Sequence, residues 1–283
     1  MFFFRLLALN ASLLAWAQIA PLDQARDLYR RTDYHQSLSL LLQQHQKNPA
    51  ALQLIGQNYF MLGDYKKGAE VLEKALAAEP DNPAILYWLG RTYARRAETS
   101  SPFSAPGWAG KARQMFEKSV ALDPTNKDAT GDLLDFYLEA PGFLGGGIQK
   151  AEALAQTIAA HDPAEGQYAE ALIEDRRKNY DSAEQHFRHA AELAPRQVGR
   201  FIDLAKFLAK RGRVQESEAM WDHAARLAPH NPKLMFERAH TYIKSQRNLP
   251  QARELLEKYI QSQLTPDDPP RTEAENLLKK LGA

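Results

Sequence analysis

Between residues 49 and 82, apolar or small side chains recur at Leu52, Ile55, Gly56 and Tyr59 and again at Gly68, Leu72 and Ala75, with Gly63-Asp64-Tyr65 between the two runs. Spacings of three and four put each run on one helix face, so the pattern predicts two amphipathic helices joined by a tight turn. Gly63 supplies a left-handed residue to end the first helix. Pro80 ends the second, because it has no N–H to donate to the preceding turn. Gly56 and Gly68 have no side chain to hold the helices apart, and Leu52, Tyr59 and Leu72 fill the volume around them.

The pattern repeats. Prolines that follow an apolar helical run fall at Pro49, Pro80, Pro124, Pro163, Pro195, Pro229 and Pro266, with separations of 31, 44, 39, 32, 34 and 37 residues. These cluster near 34, and the two long gaps coincide with Pro/Gly/Ser-rich text, at 98–110 (E-T-S-S-P-F-S-A-P-G-W-A-G) and at 141–147 (P-G-F-L-G-G-G). Both stretches are expected to be insertions between helices.

In this register the units resemble the tetratricopeptide repeat, a 34-residue helix-turn-helix with W-x2-L-G-x2-Y and then A, F, A and P at fixed offsets. One unit carries Leu86, Leu89-Gly90 and Tyr93, then Ala112, Phe116 and Pro124; residues 164–197 carry Tyr180, Ala183, Phe187, Ala190 and Pro195. Residues 198–231 carry Phe201, Leu204-Ala205, Leu208, Gly212, Trp221, Ala224 and Pro229. Weaker copies have Asp33-Tyr34 and Leu41, then Leu133, Tyr137 and Ala151, and finally Ala239, Tyr242, Ala252 and Leu256. The resemblance implies an all-α protein, a right-handed superhelical solenoid of about seven units over 18–265. Residues 266–283 would form a C-terminal capping helix, since Arg271 to Leu281 reads as amphipathic and a solenoid needs a polar cover over its last apolar face. Glu170 and Glu174 stand where the family keeps apolar residues, so a poorly packed first helix is expected in that unit.

Composition narrows the function. With 44% hydrophobic and 25% charged residues the chain is foldable and is not a multi-span membrane protein. Lys+Arg 36 against Asp+Glu 35 gives no global drive toward nucleic acid or an anionic bilayer. The absence of cysteine excludes disulfides, thiol catalysis and cysteine-containing zinc sites.

Candidate chemistry is sparse. The glycines of 141–147 satisfy neither phosphate-binding pattern and follow a helix where both patterns need a strand, so an interhelix loop is expected there. His186 and His189 share a helical spacing suited to a metal, but no third ligand follows by spacing, and a solvated outer face is expected for both. No serine lies in a nucleophile elbow. Asp132, Asp135 and Glu139 on one helical stretch are expected to be exposed carboxylates, and no cofactor is expected. The basic run Arg196, Arg200, Lys206, Lys210, Arg211 and Arg213 is interrupted by Asp203 and has no interleaved stacking aromatics, which argues against nucleic acid.

The resemblance implies a groove lined by the first helix of each unit. The family's ligand-facing positions map onto Gln53, Gln57, Phe60, Tyr87, Arg91, Arg95, Asp135, Glu139, Tyr168, Asp175, Lys206, Lys210, Phe236, His240 and Lys244. Aromatics beside long polar side chains suit an extended peptide. Arg91 with Arg95, and Lys206 with Lys210, are like-charge i, i+4 pairs that favour an acidic partner. Phe103 and Trp108 are expected as exposed aromatics at the groove rim. A non-catalytic protein- or peptide-binding scaffold of the cell envelope is the expected function. The alternatives are an accessory subunit or hydrolase of an envelope pathway, or a membrane-tethered assembly factor.

The envelope expectation rests on residues 2–17, which are apolar apart from Arg5, Asn10 and Ser12 and end in Ala15-Trp16-Ala17, the small-x-small pattern of a signal peptidase site. The run is shorter than the roughly 20 residues a spanning helix needs, so 1–17 is expected to be cleaved and the product to be periplasmic or secreted, with formally neutral charge. Intact-mass analysis of protein recovered from an exporting bacterial host should show a chain beginning at Gln18. A mature form retaining Met1 or Leu6 contradicts cleavage and restores the tethered alternative.

Overall fold

A computed structural model describes residues 21–43 and 48–282, and the expected signal segment lies outside them. Among the described residues the regular structure is helical, with no strand. The chain divides into two compact units, up to Leu133 and from Leu134 onward.

The first unit contains α1 (21–30), α2 (Tyr34–Gln43), α3 (Pro49–Met61), α4 (Tyr65–Ala78), α5 (Pro83–Thr99) and α6 (Ala105–Leu122), and it ends within α7 (Lys127–Glu139). The second continues with α8 (Ile148–His161), α9 (Pro163–Arg177), α10 (Tyr180–Leu193), α11 (Val198–Lys210), α12 (Val214–Leu227), α13 (Pro232–Lys244), α14 (Leu249–Gln261) and α15 (Arg271–Gly282). Consecutive helices pair as hairpins, α3 with α4, α5 with α6, α9 with α10, α11 with α12 and α13 with α14.

Helix starts are written locally. Asn48-Pro49, Asn82-Pro83, Asp162-Pro163 and Asn231-Pro232 each place a capping side chain before a proline in the first turn. The caps accept from backbone N–H groups, among them Ala51 at 2.8 Å, Ala84 and Ala164 at 3.0 Å and Leu234 at 2.9 Å. A proline N–H would be unpaired in the first turn anyway, and the fixed φ is already helical. Two of the seven period-marking prolines, Pro49 and Pro163, therefore begin first helices rather than end second ones, whereas Pro80 lies just beyond α4 and Pro229 just beyond α12.

Outside α5–α6, where Ser100 is extended, helix ends within the hairpins share one geometry. A left-handed residue follows the first helix at Thr32, Gly63, Lys178, Gly212 and Gln246, with φ between 51° and 78°. In the α3–α4 turn, Gly63 N–H reaches Phe60 O at 3.0 Å and Asp64 N–H reaches Tyr59 O at 2.9 Å; the α11–α12 turn repeats this with Gly212 to Ala209 and Arg213 to Leu208, both at 3.0 Å. These bonds satisfy orphan carbonyls and turn the chain back on itself.

The hairpins close on small residues. A Cβ on Gly56 would lie 2.4 Å from Leu72 Cγ, and one on Gly90 would lie 2.7 Å from Phe116. Serines bury hydroxyls across the same seams: Ser37 donates to Ala25 O at 2.8 Å, and Ser217 does the same to Ala205 O at 2.8 Å. In the last hairpin Phe236, Ala239, Tyr242, Ala252, Leu256 and Tyr259 form a cluster over which Ala274, Leu277, Leu278 and Leu281 of α15 are laid.

Three sequence expectations change. Most of 98–110 is helix: α5 runs to Thr99 and α6 starts at Ala105, with Pro106 tolerated in the first turn. Trp108 accordingly does not rim a groove; it packs on Tyr93 at 5.5 Å with the Arg96 guanidinium 3.5 Å above its ring. Phe103 does stand free, 98% exposed. Helix α9 is also closely packed, because small Ala164, Gly166, Ala169 and Ala171 face inward while Glu174 bonds Arg177 and Asn179 at its margin, which holds its carboxyl below the usual range.

The loop at 141–147 is turned back on α7. Gly147 N–H donates to Tyr137 O at 2.8 Å, Gly145 takes φ 91°, and a Cβ on Gly146 would lie 1.9 Å from Ala140 O. Its glycines thus serve backbone approach within the loop itself.

Two glycine substitutions separate close packing from mere helix entropy. A Cβ on Gly166 would meet Ala159 Cα at 2.6 Å, so Gly166→Ala should destabilise by about 1–3 kcal/mol. Gly131, within α7, has open space around it, so Gly131→Ala should stabilise by about 0.5–1 kcal/mol. Urea unfolding of both variants checks this; equal effects would contradict the close approach at Gly166.

Candidate functional site

Helices α9, α11 and α13 are the first helices of three successive repeats, and together they wall a groove of about 610 Å³. On each helix the groove-facing residues recur at spacings of three or four, and so share one face: Tyr168, Leu172 and Asp175, then Asp203, Lys206 and Lys210, then His240 and Lys244. The floor is apolar. Phe187 of α10 lies 5.0 Å from Phe207 and 6.0 Å from Tyr168, ring centre to ring centre, and Leu172 extends the same surface.

Beside the floor, the Arg200 guanidinium covers the Tyr168 ring at 4.3 Å while bonding Glu165 at 2.7 Å and Asp203 at 3.5 Å. Burial pushes the Tyr168 phenol up, so it stays protonated. Burial also raises the Asp203 carboxyl to about 6, against the opposing pull of Arg200 and Lys206.

Six of the residues expected from sequence therefore meet in one place: Tyr168, Asp175, Lys206, Lys210, His240 and Lys244. Phe236 does not line the groove; it is buried under it, packed on Tyr259 at 5.2 Å and on His240 at 6.2 Å. Asp135 and Glu139 are exposed on α7 outside the groove, with Glu139 3.8 Å from Arg176.

The remaining expected residues lie in the first unit. Gln53 and Gln57 are half-buried on α3. Phe60 packs edge-on to Tyr65 and Trp88 at 5.6 and 5.5 Å. Arg91 lies over Trp88 at 4.7 Å and Phe60 at 4.8 Å and approaches Asp132 to 3.7 Å. Tyr87 is buried, which raises its phenol, and hydrogen-bonds Asp132, whose carboxyl is raised by its own burial. Tyr87 is thus a support and not a contact surface.

The like-charge pairs lose their force as an argument for an acidic partner. Arg91 is matched by Asp132, Arg95 by Glu98, Lys206 by Glu237 at 2.8 Å and Lys210 by Asp175 at 2.8 Å. His186 is not simply solvated either, since its Nδ1 lies 2.7 Å from Gln167 Oε1. Among the described residues no group of three or more acidic, histidine or cysteine side chains is placed to hold a metal, and no helix is long and apolar enough to cross a membrane.

Sequence reasoning missed Leu172, Asp203, Phe187 and Phe207. Leu172 stands four residues after Tyr168, and Asp203 three before Lys206, so helical spacing from the named positions reaches both. Phe187 comes from a second helix, and no spacing along α9 or α11 points to it.

Asp203 makes folding pH-dependent. Its carboxyl is raised from an ordinary 3.8 to about 6 in the folded chain, so its ionisation opposes folding increasingly from about pH 3.8 up to about pH 6 and fully above that. Asp203→Asn removes that cost. Thermal melts should show the variant gaining stability over the parent at pH 7.5 and little or nothing at pH 4; a gain equal at both pH values would contradict a raised carboxyl.

Models of known families match both units: a "TPR repeat" model covers residues 56–96, and a "Tetratricopeptide repeat" model covers 202–269. No curated protein sequence matches this one. Among solved structures, a tetratricopeptide repeat protein from Parabacteroides merdae aligns over 93% of this chain and 98% of its own, with a TM-score of 0.61 at 16% identity. A thermophilic TPR protein of Thermus thermophilus aligns over 67% of this chain and 97% of its own, with a TM-score of 0.53 at 21% identity. At those identities the likeness is one of fold. Repeats of this type form protein-interaction scaffolds that are generally non-catalytic. With its helix pairs, its turn geometry and both matched segments in agreement, the chain carries tetratricopeptide repeats at residues 56–96 and 202–269 and shares the fold of solved tetratricopeptide repeat proteins.

Proposed function

We propose that this protein is a non-catalytic scaffold of the cell envelope that takes an extended segment of a partner protein into the groove between α9, α11 and α13. The groove itself carries the reading. An apolar floor of Leu172, Phe187 and Phe207 is bounded by charged side chains on both walls, the arrangement in which buried apolar contact supplies affinity and the rim selects the partner. Three successive repeats contribute to it, so a bound segment has contacts along several residues of its length. The envelope location is supported by the short apolar run at 2–17 with its Ala-x-Ala end.

Site-specific photocrosslinking tests the groove. A benzoyl-phenylalanine at Ala209, on the groove wall, should yield a discrete adduct in intact cells, whereas one at exposed His189 on α10 should not. Adducts from His189 with none from Ala209 would move the binding surface to the second helices and overturn the reading. Fractionation of the same cells should place the adduct in the envelope, and a cytoplasmic adduct would remove that part of the proposal.

A further inference from the structure

The groove is electrically lopsided. On the α9 and α11 side it presents the carboxylates Asp175 and Asp203, and the two lysines there are already engaged, Lys206 with Glu237 and Lys210 with Asp175, each at 2.8 Å. On the α13 side stand Lys244 and, one turn earlier, His240. Among the described residues Lys244 has no ion pair or side-chain hydrogen bond, and His240, stacked on the ring of Phe236 at 6.2 Å, has none either. The carbonyl end of α13 favours a cation at Lys244 but supplies no counter-ion. An uncommitted cation therefore faces two carboxylates across an apolar floor.

We propose that the groove selects a peptide segment in which a bulky apolar side chain adjoins a carboxylate, the apolar group seated on Leu172, Phe187 and Phe207 and the carboxylate held at Lys244 with His240 beside it. The inference rests on the groove being the binding site and adds the ligand's chemistry and direction. Direction follows from repulsion as much as attraction. A carboxylate turned toward the α9 and α11 side finds Asp175 and Asp203 and no uncommitted cation, whereas one turned toward α13 meets an unpaired ammonium. Lys206 and Lys210 contribute little, because a ligand carboxylate must first displace Glu237 or Asp175 to use them.

Fluorescence anisotropy on the full chain can test this with labelled octapeptides carrying a central phenylalanine flanked by glutamates, glutamines or lysines. The glutamate probe should bind tightest and the lysine probe weakest, and 1 M salt should shrink the difference. Lys244→Gln should weaken the glutamate probe by about threefold to fivefold, the worth of an exposed ion pair, and leave the glutamine probe unchanged. Lys206→Gln should weaken the glutamate probe less than Lys244→Gln does. The inference is overturned if the glutamine probe binds as well as the glutamate probe, or if Lys206→Gln weakens binding as much as Lys244→Gln.

Failure of the groove reading itself looks different. Leu172→Arg, or the milder Leu172→Ala should the first fail to fold, removes apolar floor and should weaken every probe. Capture that survives both floor variants, or no capture of any probe, overturns the groove and the inference with it. Loss in the floor variants combined with indifference to Lys244→Gln keeps the groove and removes only the ligand assignment.

Discussion

Close approach of the two helices in each hairpin is the constraint on which the other features depend. It is possible only where one helix offers hydrogen or methyl to the other, as Gly56 does to Leu72 and Gly90 to Phe116 within hairpins, and as Gly166 does to Ala159 where α9 meets the preceding α8. An added Cβ at Gly166 meets backbone rather than a movable side-chain end, so the seam cannot relax around it. With the backbones this near, a serine hydroxyl at the seam reaches a carbonyl of the partner helix, and large residues such as Trp221, Tyr242 and Tyr259 fill the flanks completely. The turn chemistry serves the same end: a left-handed residue and two backbone bonds return the chain before the helices can diverge.

Once the hairpins of the second unit are set, α9, α11 and α13 present their faces to one groove. Electrostatics then decides what that surface offers. In the first unit the two candidate arginines are engaged internally, Arg91 by the rings of Phe60, Tyr87 and Trp88 and by Asp132, and Arg95 by Tyr65 and Glu98. In the second, the pairing leaves Lys244 uncommitted and places Asp203 where burial resists its charge. The same family of contacts thus gives one closed polar network and one open groove.

Much of the architecture was legible in the sequence because the interactions that make it are local. Apolar spacing of three and four, Gly63 and Gly212 at the turns and a period near 34 are contacts between residues close in the chain, so each repeat states its own helices. The stretch at 98–110 misled for the opposite reason: Pro106 and Gly107 sit in a first helical turn, where they are tolerated, and only the stacking of Trp108 on Tyr93 and Arg96 shows that the segment is packed helix. Similarly, Glu170 and Glu174 read as faults in α9 until the small residues on its opposite face are seen to carry the contact.

The sequence by itself determined that this chain is a row of helix pairs, where each pair turns, and which helix face in each carries candidate binding residues, since all three follow from periodicity and turn chemistry within about 34 residues. Only the tertiary structure decided which of those residues meet. Tyr168, Lys206 and His240 belong to different repeats and converge because three hairpins stack; Tyr87 and Phe236 have the same register but are buried by their neighbours. It also decided which charges are spent, because Lys206 finds Glu237 and Lys210 finds Asp175 across gaps of about thirty residues or more that no local pattern encodes. Contact between distant segments is set by how the repeats pack, and that is a property of the assembled surface, not of any single stretch of chain.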